Sequence, residues 1–306
     1  MTHRAASSVK VVRFPSERLA SALPLPAADA DKCTRGKLTV IGGSDAYPGS
    51  VCLASKAGLY GGAGYVACAC SAAAVPILRA FAPSCVVRVW EGADATVLKL
   101  DAQDGRHPQA CAMGCGMASD GGFQDALVAQ MIDGCAAPLL LDGGALRTLA
   151  ERGLSEPLQA RGRAGRQTVL TPHGGEAAAL ARAVGIPVPG RHAPEQELAA
   201  FAAALAEAFA AHVLLKGPVS FIASPASAEV FLMDRGTPAL AKAGTGDVLA
   251  GVVGALLAQG LHPATACVMG ATVHAEAGCA AAEERGVISV TAEDVLEALP
   301  CAFQAL

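Results

Sequence analysis

Short β-like runs alternate with Ala-rich segments of helical period along most of this 306-residue chain. Several of the runs are apolar at every position. Such strands need cover on both faces, which a mostly parallel sheet between two helical layers provides. The strand candidates are Leu38–Ile41, Tyr65–Cys70, Cys85–Val89, Leu139–Asp142, Thr168–Thr171, Val213–Lys216, Val219–Ala223 and Val230–Met233. The helix candidates are Ser50–Tyr60, Gln124–Asp133, Glu176–Val184, Glu195–Ala210, Gly246–Gln259, Ala264–Glu284 and Ala292–Leu299. The alternation predicts a doubly wound α/β fold. Only Gly217-Pro218 separates Val213–Lys216 from Val219–Ala223, so this pair is predicted to form a hairpin and part of the sheet to run antiparallel. The first 30 residues, with Pro24 and Pro26 and few large apolar groups, read as a lead-in arm, and 31–306 as one domain.

Composition narrows the function. The chain is 53% hydrophobic and 16% charged, enough to bury a large core and too little charge for disorder. Lys plus Arg is 23 against 27 Asp plus Glu, a net charge of −4 without a basic stripe, so nucleic acid is not an expected partner. An anionic ligand has to be held by local groups, such as free N–H groups at a helix start. The best apolar run, Val248 to Ala258, falls well short of the ~20 residues that cross a bilayer. Met1 to Pro15 carries His3, Arg4, Lys10 and Arg13 without an apolar core, unlike a signal peptide. The eleven cysteines are odd in number and sit mostly among Ala, Val and Gly, as small buried hydrophobes do. Reduced thiols and a cytoplasmic location are the expectation.

Ligands of open α/β sheets sit at the carboxyl ends of the strands. Five turns after strands carry unusual chemistry. Ile41-Gly42-Gly43-Ser44-Asp45-Ala46-Tyr47-Pro48-Gly49-Ser50 opens a helix, and its glycines let backbone approach a ligand. It matches neither the Rossmann fingerprint nor the Walker P-loop. Gly114-Cys115-Gly116 suggests a tight turn. Leu170-Thr171-Pro172-His173-Gly174-Gly175-Glu176 places a histidine at a strand end, with Glu176 suitably placed for the helix dipole. Lys216, ending a buried strand before Gly217, Pro218, Val219 and Ser220, could reach nucleotide phosphates; its plain alternative is an edge lysine snorkelling to water.

The strongest signal is Gly244-Thr245-Gly246-Asp247, which feeds directly into an apolar helix. Backbone N–H groups there converge on one point and form an anion hole. Asp247 lies in the same turn, where its plain alternative is a helix N-cap. Other chemistry is not supported. His274-Ala275-Glu276 lacks the Pro-Cys-x-x-Cys that would complete a zinc deaminase signature. The cysteine spacings do not suit a zinc knuckle, and Gly-x-Ser-x-Gly is absent.

Together these motifs resemble the ribokinase-like superfamily, and within it the ADP- or ATP-dependent NAD(P)H-hydrate dehydratase family. The resemblance runs from about Lys32 to the C-terminus and rests above all on Thr-Pro-His-x-Gly-Glu combined with Gly-Thr-Gly-Asp. It implies repair of hydrated NADH or NADPH, with a nucleotide activating the hydroxyl on the hydrated ring. By resemblance, Asp247 removes the hydroxyl proton and the Gly244, Thr245 and Gly246 amides hold the transferring phosphoryl group. Ser50, Gly116 and His173 would contact the hydrated dinucleotide, and Lys216, Gly217, Pro218, Val219, Ser220 and Gly246 would border ADP or ATP. Mg²⁺ is expected for phosphoryl transfer, although no dedicated metal cage is legible. A homo-oligomer is expected, and no epimerase domain is expected ahead of the dehydratase domain.

The chain departs from the family pattern in places. Gly144 stands where a second Asp is usual, Thr237 where Asn precedes Pro238, Cys115 where Pro separates the glycines, and Ser50 where Ala is common. The alternatives are a vitamin-precursor kinase of the same superfamily and a nucleotide-binding protein without activity.

Overall fold

The computed structural model describes residues 9–90, 108–118 and 122–306; the first eight residues of the arm lie outside them. In chain order the elements are β1 (Lys10–Arg13), α1 (Ser16–Ser21), β2 (Lys37–Ile41), α2 (Pro48–Tyr60), β3 (Tyr65–Cys70), α3 (Ala74–Phe81), β4 (Val86–Val89) and β5 (Gln109–Met113). There follow α4 (Phe123–Gly134), β6 (Leu139–Leu141), α5 (Gly143–Glu151), α6 (Ser155–Arg163), β7 (Thr168–Leu170), α7 (Gly174–Ala183) and α8 (Glu195–Phe209). Last come β8 (His212–Leu215), β9 (Ser220–Ala223), β10 (Glu229–Met233), a 3-10 turn (Pro238–Leu240), α9 (Thr245–Ala258), α10 (Pro263–Arg285) and α11 (Ala292–Gln304).

The strands form one sheet in the order β1-β10-β9-β8-β7-β6-β5-β2-β3-β4. Only β9 runs against its neighbours, in the predicted hairpin with β8 and in its pairing with β10. Side chains alternate between two cores, as a pleated strand requires. Leu38, Val40, Ala112, Leu140, Val169 and Leu214 face one core, built with α2, α9, α10 and α11. Ile41, Met113, Leu139, Leu141, Leu170, Val213 and Leu215 face the other, built with α4 to α8. Both faces are therefore covered, and the continuous apolar runs are explained. Eight of the eleven cysteines are buried, including Cys68, Cys70 and Cys111 on strands. No helix among the described residues is long and apolar enough to cross a membrane.

The arm contains two elements absent from the sequence reading. β1 pairs in parallel with β10 at the sheet edge, and α1 packs Leu19 into the first core.

From β2 the chain moves outward to β3 and β4, then returns to β5 and continues through β6, β7 and β8 in the other direction. The β2/β5 boundary is thus a topological switch point, where such sheets leave a crevice at their carboxyl ends.

Candidate active site

The predicted strand-end turns meet because their strands are neighbours. A row of backbone hydrogen bonds carries the sheet past its last formal pairs. Gly114 N donates to Ile41 O (3.0 Å), Asp142 N to Met113 O (2.9 Å), Thr171 N to Leu141 O (3.2 Å) and Lys216 N to Pro172 O (2.8 Å). Gly114 (φ +120°) and Gly116 (φ +66°) shape the turn between Gly42 and Asp142. A Cβ on Gly114 would lie 1.8 Å from Asp142 O, and one on Gly116 2.7 Å from Ser50 Cβ. Only glycine permits these approaches.

Asp247 enters this row from the helical layer on one face. Gly244 is the N-cap of α9 with φ +92°, and it packs so closely against Ala292 and Leu53 that a Cβ would lie within 2.9 Å of both. Thr245, Gly246 and Asp247 are the first three helical residues. Thr245 is buried, its hydroxyl 2.8 Å from Leu240 O and 2.9 Å from Lys242 O. It thereby ties the helix start to the preceding 3-10 turn. His274 of α10 holds the Thr245 carbonyl at 2.9 Å, and burial lowers its pKa to about 4, so the ring is neutral and Nε2–H donates.

The N-cap alternative for Asp247 does not hold. No side chain caps α9, and Asp247 instead lies beside Ser50 and Cys115, which favour its charged form. Burial raises its pKa to about 6, with Asp142 adding to the rise; Ser50, Cys115 and Lys216 oppose it. That value suits a general base near neutral pH.

Lys216 reaches into the same cluster. Its Nζ donates to Asp142 Oδ1 at 2.7 Å, and a Cβ on Gly246 would lie 3.4 Å from that ammonium. Burial alone would lower the lysine, but Asp142 and Glu176 outweigh it and hold the pKa above its ordinary value. The ammonium is therefore charged beside the start of α9. Asp142 is 4% exposed and also accepts from Thr171 Oγ1 at 2.7 Å. Burial raises Glu176, helped by Asp142 and opposed by Lys216.

Ser50, Gly116, Lys216, Asp247 and the Gly244–Gly246 turn are thus brought together. Gly217 and Pro218 lie exposed in the hairpin turn beyond Lys216, with Val219 and Ser220 partly covered. His173 is arranged differently. Its Nδ1 accepts from Gly175 N (3.0 Å) and Glu176 N (3.3 Å), while Glu176 accepts from His173 N (2.8 Å), so the pair closes the start of α7. This capping role went unread because histidine is an unusual cap.

The chemistry of this crevice combines an anion hole, a neighbouring cation and a carboxylate poised to take a proton. Sequence comparison attaches it to known proteins. A family model described as NAD(P)H-hydrate dehydratase matches residues 38–301. An ADP-dependent (S)-NAD(P)H-hydrate dehydratase of Xanthomonas campestris pv. campestris is 35% identical, over 94% of this chain and 95% of its own. The chain belongs to the NAD(P)H-hydrate dehydratase family. A bifunctional NAD(P)H-hydrate repair enzyme of Moorella thermoacetica is 32% identical over 92% of this chain, which spans 51% of that protein.

Solved structures agree on the fold of this family member. A ribokinase-like superfamily protein of Enterococcus faecalis superposes with a TM-score of 0.80 at 20% identity, covering 100% of this chain and 98% of its own. An ADP/ATP-dependent NAD(P)H-hydrate dehydratase of Bacillus subtilis, co-crystallized with ATP/Mg²⁺, gives 0.74 at 24% identity, covering 96% and 98%. The ribokinase-like fold expected from the motifs is the fold observed.

Two residues of the cluster received no role from sequence. Asp142 was visible only as a strand end, and Cys115 only as a departure from Pro. Their signal is positional, since Cys115 follows β5 at the switch point and Asp142 follows β6, the neighbouring strand. Gly144 also gains an explanation. A Cβ there would lie 2.2 Å from Met117 O, so the family's usual Asp does not fit this backbone.

Proposed function

We propose that this chain dehydrates hydrated NADH or NADPH in a reaction driven by ADP or ATP, and that Asp247 is its general base. The observation that carries the reading is the uncapped glycine start of α9, with Asp247 on its first turn and the charged Lys216 beside it. Asp247 takes the proton from the ring hydroxyl as that oxygen attacks the terminal phosphorus. The Gly244, Thr245 and Gly246 amides and Lys216 stabilise charge on the phosphoryl oxygens. With ADP, AMP is the leaving group. The phosphorylated oxygen then departs as phosphate, the adjacent ring carbon loses a proton to solvent, and the ring double bond of the reduced nicotinamide is restored.

Ser50 and Gly116 line the side of Asp247 where the dinucleotide ring would sit. Residues 217–220 would border the nucleotide, and the exposed ring of His173 would contact the dinucleotide from the rim. The donor chemistry suits Mg²⁺, because three carboxylates (Asp142, Glu176 and Asp247) surround a single lysine and carboxylate oxygen is the hard ligand this ion takes. Asp142 would help to hold it, and it would supply charge neutralisation for the phosphates.

The test is to incubate the protein with hydrated NADH and either ADP or ATP. Return of the reduced-nicotinamide absorbance, with release of phosphate, is the expected result. A stable phosphorylated product would instead identify a kinase, and nucleotide binding without turnover an inactive site.

A further inference from the structure

Ser44 and Ser71 follow β2 and β3, neighbouring strands on the other side of the switch point from Asp142 and Lys216. Both are buried, at 6% and 2% exposure, and neither hydroxyl has a hydrogen-bond partner in the chain. A buried hydroxyl without a partner lowers stability, so it calls for a reason. The backbone that presents the pair is tied down. Ser44 N donates to Gly116 O at 2.9 Å, and Ser44 O accepts from Tyr47 N at 3.0 Å. Ser71 N donates to Gly43 O at 3.0 Å, and Ser71 O accepts from Ala74 N at 3.1 Å. Gly43 thus joins the two turns, and Gly116 joins them to the crevice beside Asp247. A Cβ on Gly43 would lie 2.4 Å from Val51 and 3.5 Å from Ala74, so the first turns of α2 and α3 close on this one glycine.

Ser71 opens the turn into α3, whose first residue is Ala74 and whose start has no side-chain cap. Serine caps such a start well, yet neither hydroxyl is spent on it. An uncapped helix start with two unclaimed hydroxyls suits a phosphate, whose oxygens accept from backbone N–H and from O–H alike. We propose that Ser44, Ser71 and the start of α3 bind a phosphate group of the hydrated dinucleotide. That the phosphate belongs to this ligand rests on the dehydratase reading; the unpaired hydroxyls do not. With its reacting ring between Gly116 and Asp247, the dinucleotide runs outward past the end of β2 towards β3. The nucleotide, beside Lys216, lies on the opposite side of the switch point. Ser44 is followed by exposed Asp45, Ala46 and Tyr47, and Ser71 by exposed Ala72 and Ala73. Rotation about one side-chain bond brings each hydroxyl to a ligand on that surface.

The test compares Ser44→Ala, Ser71→Ala and the double variant with the parent protein. Three quantities are measured: Tm without ligand, NADH affinity from the fluorescence of its reduced ring, and ADP affinity by titration calorimetry. NADH is the reaction product and carries the same phosphates as the hydrated form. Tm should hold or rise, because each substitution removes an unpaired buried hydroxyl. NADH affinity should fall about tenfold for each hydroxyl removed, while ADP affinity stays the same. If the double variant does not fold, the single variants decide. Unchanged NADH affinity overturns the proposal, and so does a parent protein that does not bind NADH. A lowered Tm with equal weakening of NADH and ADP also overturns it, because the hydroxyls would then only shape the crevice. Weakening of ADP alone would give the phosphate to the nucleotide and overturn it as well. Hydroxyl-dependent NADH binding in a protein without turnover would count against the dehydratase reading alone.

Discussion

Two of the helices that begin at the carboxyl edge of this sheet, α7 and α9, begin in opposite ways. At α7, His173 and Glu176 exchange a reciprocal capping box, so the helix's own side chains answer three backbone donors. At α9 the N-cap is Gly244, no side chain caps the helix, and Asp247 turns to Ser50 and Cys115. A helix start leaves backbone N–H groups unsatisfied, and they need a partner. The first helix start is closed by its own side chains. The second is left without a side-chain cap, and its acidic residue faces the crevice.

The sharpest test removes that carboxylate. Asp247→Asn keeps the shape and the backbone amides but cannot accept a proton. Turnover of hydrated NADH should fall by about 10² to 10⁴-fold while ADP binding, measured by titration calorimetry, largely persists. Near-normal turnover would remove Asp247 from the base role, and the open start would be a binding device only. A related loss should follow from pH. With a midpoint near pH 6, the base is charged at neutral pH and protonates as pH falls. Below that midpoint kcat/KM should drop about tenfold per pH unit. A profile flat down to pH 5 would contradict this.

A smaller effect is expected from closing the open start sterically. Gly244→Ala places a Cβ within 2.9 Å of Ala292 and Leu53 in a left-handed conformation. Strain of about 1–3 kcal/mol should appear as a lowered Tm. The amides of Thr245 and Gly246 should also tilt from their common point, weakening ADP binding. If Tm falls while ADP affinity stays the same, the α9 start is not where the phosphates sit.

The comparison also separates what a sequence can and cannot disclose. Gly244-Thr245-Gly246-Asp247 was legible because glycine, a carboxylate and an apolar helix occur within a few residues. The strand-end turns were legible because apolar runs mark buried strands, but the switch point between β2 and β5 was not, since it depends on strand order. β1 was not, because Lys10–Arg13 is a short edge strand, charged at both ends, whose partner lies more than two hundred residues away. α5 and α6 were missed where Gly143-Gly144 and Pro157 interrupt helical patterning. Gly144 is instructive, because sequence showed only a missing carboxylate. The reason is the Met117 carbonyl, a contact between two turns that only the folded chain brings together. Asp142, Cys115 and Lys216 form a cluster for the same reason, each ordinary alone at the end of its own strand.

The smallest expected effect comes from opening the closed helix. His173→Ala removes the cap on two α7 amides and should lower stability by about 1 kcal/mol. The helix stays anchored through its buried residues Ala177, Leu180 and Ala181, so the fold should survive. His173 is bonded in backbone fashion to the Lys216 strand, yet its ring faces outward with its side chain 62% exposed. Loss of that ring should therefore weaken the hydrated dinucleotide more than ADP. Paired titrations of the two ligands decide the point. Equal weakening would mean that the ring acts only through the cap, and that the closed helix start serves structure alone.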